Sequence, residues 1–246
     1  MLQLTSTVFL VASGQVGLSH YKDCHVYLVR DGKEWGLIDA GAGMETSVIT
    51  DTLAALGFDH GGRAGLLLLT HAHADHAGGA AAIRRWAGCQ IAASRTEADL
   101  AESGDETRLG LVAAKYSGRY PSDYVFTPFR VDLTVEESAT YQVGGIRIRA
   151  LSTPGHSIGS VCYVADFPDG SRGLFSGDTV FWGGYISLIN APGADLQQYR
   201  QSVQQFVGLS VDALFPGHHL WDLRRGQKHL DTAVERFRGS QLPPNL

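Results

Sequence analysis

The sequence predicts an α/β protein of two similar halves, packed sheet to sheet with helices outside. Three observations carry this expectation. Residues 25–41 (HVYLVRDGKEWGLIDAG) and 161–178 (VCYVADFPDGSRGLFSGD) share one pattern: an apolar strand, an Asp-Gly turn, a second apolar strand, then an acid. Each is followed by an amphipathic helical stretch, 46–57 in one case and 195–208 in the other. Each helix then leads to a further apolar strand, LLLLT at 66–70 or ALF at 213–215, and on to a histidine, His71 or His218.

The Asp-Gly dipeptides predict hairpins, because glycine tolerates the positive φ that tight turns need. In the second helix, Leu196, Tyr199, Val203, Phe206 and Val207 recur at helical spacing, so they share one apolar face. Asp195 is placed to cap that helix, with Gln198 three residues on. Residues 95–140 break the pattern and read as an insertion, with a helix over 96–117 and then the aromatic run YPSDYVFTPF. A last helix is expected over 227–238, followed by QLPPNL as a frayed end. At 246 residues, 44% of them hydrophobic, the chain suits a single domain over 1–246 with a substantial core.

Composition excludes several classes of function. The formal net charge of -5 argues against a nucleic-acid partner, since phosphate binding needs clustered Lys and Arg. Arg84-Arg85 and Arg224-Arg225 are the compact basic runs, and both read as solvated faces. Cys24, Cys89 and Cys162 are odd in number and widely spaced, which fits neither a disulfide framework nor a thiolate zinc site. No stretch approaches the ~20 apolar residues of a membrane span. No basic, then apolar, leader opens the chain, so a cytoplasmic protein is expected.

The densest chemical signal is Thr70-His71-Ala72-His73-Ala74-Asp75-His76, directly after the strand LLLLT. His71 and His73 are two apart and would not share a helix face, but an extended turn can aim both at one point. Asp75 and His76 can open the next helix, where Gly78, Gly79 and Ala80 let the backbone approach closely. Neutral imidazoles and a carboxylate are the ligands that zinc and similar borderline metals prefer. His20, His25, His60 and His229 read as structural or surface residues.

HAHADH resembles the HxHxDH signature of the metallo-β-lactamase fold superfamily. The other motifs of that family occur in order: Asp39 in LIDAG, His156 in STPGHS, Asp178 in FSGDT and His218 in FPGHH. The resemblance runs from about residue 8 to 220. It implies a four-layer αββα sandwich of two mixed β-sheets flanked by helices, with the site at one edge of both sheets. It also implies a division of ligands. His71, His73 and His156 hold a first metal, Asp75, His76 and His218 hold a second, and Asp178 bridges them. The family pattern puts the ligand directly after Gly217, which selects His218 over His219. Asp39 falls outside this full set and is expected to orient a ligand histidine or a backbone turn.

The resemblance therefore implies two divalent ions per chain, zinc first, with iron or manganese as alternatives. A hydroxide bridging two such ions would attack a small-molecule carbonyl substrate, an ester, lactone or thioester. Asp178 and Asp75 are the catalytic candidates, Asp75 moving a proton to the leaving group. True β-lactamases of this fold commonly lack the bridging aspartate, so Asp178 with His76 resembles the hydroxyacylglutathione hydrolase, lactonase and phosphodiesterase branches. So little chain follows His218 that the helical glutathione-binding domain of the first branch is not expected. Tyr116, Tyr120, Tyr124, Phe126 and Phe129, with the loop carrying Trp182 and Tyr185, are candidates to wall an apolar substrate pocket. A homodimer stays open. The competing readings are a mononuclear iron enzyme similar to persulfide dioxygenases, a phosphodiesterase of the same fold, and a binding protein without catalysis.

Overall fold

In the computed structural model, which describes residues 1–58, 65–239 and 242–246, the chain divides into two units, Met1–Val135 and Glu136–Leu246. The first unit runs β1 (Leu2–Gln3), β2 (Val8–Ala12), β3 (Val26–Asp31), β4 (Glu34–Ile38), α1 (Thr46–Ala55), β5 (Leu66–Leu68), α2 (Ala74–Ala77), α3 (Ala80–Ala87), β6 (Gln90–Ala93), α4 (Arg95–Ser103), α5 (Leu111–Tyr116) and β7 (Leu133–Thr134). Its seven strands lie in sequence order. They are antiparallel from β1 to β4 and parallel from β4 to β7. Gly32, at φ 59°, supplies the turn between β3 and β4. Ile49 and Leu53 of α1, Ile83 of α3 and Leu100 of α4 share a buried core with Leu37, Leu67 and Ile91 of the sheet.

Two expectations for the insertion need correction. The helix foreseen over 96–117 is broken. Gly104, at φ 62°, ends α4 by returning its N–H to the carbonyl of Leu100, an ending that glycine favours. Asp105 Oδ1 then accepts from the N–H groups of Thr107 (2.9 Å) and Arg108 (3.2 Å), which turns the chain before α5. The aromatic run does not act as one wall either. Phe126 and Phe129 belong to the core of this unit, while Tyr116 is 96% exposed. Burying each phenylalanine contributes ~1.5–3 kcal/mol, which outweighs leaving it on a pocket surface. Arg84 is not a merely solvated charge: it donates to Arg130 O (2.5 Å) and to Asp132 Oδ1 (2.8 Å).

The second unit runs β8 (Thr140–Val143), β9 (Ile146–Ser152), β10 (Val161–Asp166), β11 (Arg172–Gly177), α6 (Leu196–Val203), β12 (Ala213–Pro216) and α7 (Gly226–Arg238). Its sheet order is β12-β11-β10-β9-β8, antiparallel except for the parallel pair β11–β12. In this unit too, a hairpin (β10–β11) is followed by a helix and a strand parallel to the hairpin's second strand. Asp195 caps α6, accepting from the N–H groups of Gln197 (2.7 Å) and Gln198 (3.0 Å). Tyr199, Val203 and Phe206 are buried with Leu230, Val234 and Phe237 of α7. Val207, expected on the same face, is 50% exposed, because the backbone leaves helical geometry there (φ -62°, ψ 119°).

Both sheets are thus mixed and flanked by helices. The described part of the tail is not frayed. Ile186 N–H donates to Pro244 O and Leu246 N–H to Ile186 O, each at 3.0 Å. Asn245 Oδ1 accepts from Leu188 N–H (2.6 Å), and its Nδ2 donates to Leu188 O (3.0 Å). A polar, proline-containing sequence looks disordered, but here its backbone completes the pairing of an inner loop. Among the described residues, no helix is long and apolar enough to cross a membrane.

Candidate metal centre

In the first unit, β4 and β5 run parallel with Ile38 opposite Leu68, so the chain leaves both strands at the same sheet end. Ligand sites of α/β folds favour that carboxyl end. Asp39 follows β4 immediately, in a left-handed conformation (φ 64°) and almost fully buried. Its carboxylate accepts three hydrogen bonds: from Thr70 N–H to Oδ1 (2.8 Å), from Thr70 Oγ1 to Oδ2 (2.8 Å), and from His76 Nδ1 to Oδ2 (2.9 Å). Thr70 Oγ1 also lies 3.0 Å from His71 Nδ1. Since Thr70 gives its proton to Asp39, its oxygen accepts from His71. Both histidines therefore carry their proton on Nδ1 and turn a lone pair outward on Nε2.

His73 forms the N-cap of α2, and Asp75 and His76 lie in its first turn. The rings of His71 and His73 are 4.6 Å apart, and those of His71 and His76 4.1 Å. Asp75 Oδ2 stands 3.8 Å from His76 Nε2. Close backbone packing sets α2 in place. Ala40 N–H donates to His76 O (2.7 Å) and Gly79 N–H to Gly41 O (3.0 Å). A Cβ on Gly79 would collide with Ala40 O, and one on Gly78 with Ala42 O, so the expected small residues are needed here.

Glu97, which the sequence reading missed, is also buried. From α4 it accepts from Ala72 N–H at 2.7 Å, pinning the peptide between His71 and His73. One signal was available: Glu97 lies on the apolar face of α4, with Leu100 and Ala101 three and four residues on. Cys24, Asp39 and His76 also place potential ligand atoms within 4.8 Å of one another. Burial pushes the Cys24 thiol up to about 12, and a protonated thiol ligates poorly. The Asp39 oxygens are already engaged, so this trio reads as support for His76.

In the second unit, Asp178 follows β11 and His218 follows β12, the two strands being parallel. Gly217 N–H donates to Gly177 O (2.8 Å) and fixes the two exits together. Asp178 turns its two oxygens to different histidines: Oδ2 is 3.6 Å from His156 Nε2, and Oδ1 is 3.7 Å from His218 Nε2. These distances exceed hydrogen-bonding range. They lie slightly beyond the ~3.4 Å that separates two ligands sharing one ion at ~2.05 Å. His156 Nδ1 donates to Ser187 O (2.6 Å), which again leaves Nε2 as the ligating atom. His219 takes another direction, at φ 64°, with its ring edge-on to Phe181.

Tyr199 is the other residue missed as part of the site. It is fully buried; its hydroxyl donates to Asp178 O (2.9 Å) and Thr179 O (2.5 Å), and accepts from Ser187 N–H (3.1 Å). Burial, with Asp178 nearby, holds this phenol well above its ordinary pKa, so it stays protonated. Helical spacing marked Tyr199 as apolar and carried no signal of what its oxygen does.

Trp182 and Tyr185 are 45% and 37% exposed. Their loop is held by α7: Gly183 N–H donates to His229 Nδ1 (2.9 Å), while His229 Nε2 pairs with Asp222 Oδ2 (3.0 Å). His229 is thus a structural link. His25 lies against Ser13 Oγ (2.8 Å), and His20 Nδ1 accepts from Lys22 N–H (3.2 Å). His60 lies outside the described residues. Each unit therefore presents imidazole and carboxylate donors, with His71, His76 and His156 oriented from behind, a donor set that suits a divalent metal.

The chain is similar to several known proteins. The family model described as "Metallo-beta-lactamase superfamily" matches residues 22–218. An atrochrysone carboxyl ACP thioesterase of Passalora fulva is 27% identical over 218 residues, covering 88% of this chain and 54% of that protein. A hydroxyacylglutathione hydrolase of Anaeromyxobacter dehalogenans is 31% identical over 163 residues, 66% of this chain and 48% of that protein. The chain thus spans about half the length of these relatives. Among solved structures, a metallo-β-lactamase of Cronobacter sakazakii (HARLDQ motif mutant S60) aligns with a TM-score of 0.73 at 20% identity, covering 97% of this chain and 92% of that one. A subclass B3 metallo-β-lactamase of Bradyrhizobium japonicum aligns with a TM-score of 0.71 at 23% identity, with the same coverage. At these identities, the structures establish a shared fold.

Proposed function

The chain belongs to the metallo-β-lactamase superfamily, and on that premise we propose that it is a metal-dependent hydrolase of a small ester, lactone or thioester. Two divalent ions, zinc first, are held by His71, His73, Asp75, His76, His156, Asp178 and His218. The observation that carries this reading is Asp178, whose two carboxylate oxygens face two different histidines at 3.6 and 3.7 Å. A carboxylate that serves one ion does not need both oxygens turned to separate ligands. Thioesters are favoured among the substrates because one relative is named a thioesterase and another a hydrolase of an acylglutathione. Both names describe an acyl group released from a carrier.

When bound, such ions supply a Lewis acid and bring the pKa of water towards neutrality. The chain's own residues do the rest. Asp39, Thr70 and Ser187 hold the Nδ1 protons and so leave Nε2 of His76, His71 and His156 as the ligating atom. Asp75 Oδ2, on a side chain 27% exposed, can take a proton from the attacking water and pass it to the leaving group. Trp182 and Tyr185 are exposed enough to contact a substrate.

The test is metal analysis of gently purified protein, with turnover of a panel of thioesters, lactones and phosphodiesters. The proposal expects two equivalents of metal and thioesters turned over fastest. A single iron with oxygen consumption would overturn it in favour of the oxygenase reading. Phosphodiester cleavage alone would move the protein to that branch of the fold.

A further inference from the structure

We propose that Tyr199 is a positioning residue: seconded by Asn245, its hydroxyl holds the segments of His156 and Asp178 together, close to the spacing a shared ion requires. This rests on the metal reading above. Two ligand-bearing segments of the second unit meet at this phenol oxygen. On one side it binds the main chain of Asp178 and Thr179. On the other it accepts from Ser187 N–H, and the carbonyl of that same Ser187 receives the Nδ1 proton of His156. A single hydroxyl offers one proton, which here is shared between the carbonyls of Asp178 and Thr179, while one of its lone pairs takes Ser187 N–H, so every contact it makes serves a ligand segment.

The Ser187 carbonyl is a useful anchor because its neighbours are also tied down. Ile186 N–H goes to Pro244 O, and Ile186 O accepts from Leu246 N–H. Leu188 N–H and O both bond the Asn245 side-chain amide. With Tyr199 on Ser187 N–H, the backbone N–H groups of three consecutive residues are satisfied. The carbonyls of residues 186 and 188 face the tail, and that of Ser187 faces His156.

The helix that carries Tyr199 grips His156 a second time. Asp195 N–H donates to Gly155 O (2.9 Å), and Ser202 Oγ donates to Pro154 O (2.7 Å). Gly155, at φ 143°, lies so close that a Cβ there would strike the backbone of Tyr199. The main chain before His156 and the acceptor for its ring are therefore both set by α6.

The experiment compares wild type with Tyr199→Phe and Asn245→Ala. Zinc affinity is measured by chelator competition, and thermal unfolding is recorded with and without zinc. Cobalt substitution adds a visible spectrum sensitive to ligand geometry. Tyr199→Phe keeps the ring and removes only the oxygen. Its zinc affinity should fall by about 10–100-fold, in line with other losses of support behind a ligand. The cobalt bands should change, and the rise in Tm on adding zinc should shrink. Asn245→Ala, an exposed change, should move each quantity in the same direction by a smaller factor. If the apo and zinc-loaded Tm values fall together while affinity and cobalt spectrum stay at wild type, Tyr199 is only a packing residue and the proposal is overturned. Should Tyr199→Phe fail to fold, unchanged zinc affinity in Asn245→Ala overturns it instead. A wild type that binds no divalent metal overturns the metal reading itself.

Discussion

Nδ1 of His76 lies 2.9 Å from Oδ2 of Asp39, and through Thr70 the same carboxylate reaches Nδ1 of His71. One buried acid thereby sets the tautomer of two proposed ligands. Asp39→Asn should weaken metal binding by about 10–100-fold while leaving a folded protein, because an amide cannot accept from all three donors. Asp39→Ala should also lower apo stability, by about 1–3 kcal/mol for each buried donor left unsatisfied. Chelator competition and urea unfolding of the apo proteins separate the two effects. An Asn variant with wild-type affinity would contradict this role.

Asp178→Ala should be harsher. It removes both oxygens facing His156 and His218 and leaves two cations with less negative charge between them. The second metal equivalent should be lost and turnover should fall by at least ~100-fold. If two equivalents and near-normal turnover survived Asp178→Ala but not Asp39→Ala, their roles would be reversed.

Chelation should lower Tm without unfolding the chain at room temperature. Each unit has an apolar core of its own, around residues such as Leu37 and Leu67 in one and Val203 and Leu230 in the other. Each bound ion adds ~2.7 kcal/mol at a hundredfold excess over its Kd. Circular dichroism of the apo protein should keep its native shape, and collapse of that signal at 25 °C would show that metal carries the fold.

Alkaline pH should destabilise the protein through its buried thiols. Burial pushes Cys162 and Cys89 up to about 11 from an ordinary 9.0. Below pH 9 both thiols are protonated whether the chain is folded or not, so their contribution to stability is fully present. Between pH 9 and 11 the unfolded chain loses protons that the folded chain keeps. Stability then falls as pH rises, by roughly 1.4 kcal/mol per unit for each thiol. Unfolding free energies across this window should slope less steeply in Cys162→Ala than in wild type; parallel slopes would refute the assignment.

Much of this was legible in the sequence because it is local. The Asp-Gly hairpins, the cap at Asp195 and the density of His71, His73, Asp75 and His76 each announce themselves within a few residues. What escaped is long-range. Glu97 reaches Ala72 across 25 positions, and Asn245 reaches Leu188 across 57. Such contacts join side chain to backbone, and even where helical spacing marks the residue as buried, as it does for Glu97, it does not name the partner. The break in the insertion helix is a different failure. Gly104 can sit within a helix or end it, and the Asp105 turn beyond decides which.

The anchoring of imidazole protons by Asp39, Thr70 and Ser187 has a practical consequence for anyone purifying this protein. Rings held ready before any ion arrives need little rearrangement to capture one. Imidazole and carboxylate donors do not sort first-row ions by raw affinity against the usual order of stability. An ion that the growth medium supplies in enough excess to outweigh that order would fill the proposed sites, so the metal found after purification would record the culture as well as the protein. Cultures grown in parallel in zinc-, iron- and manganese-enriched media should yield chemically different enzymes from one gene.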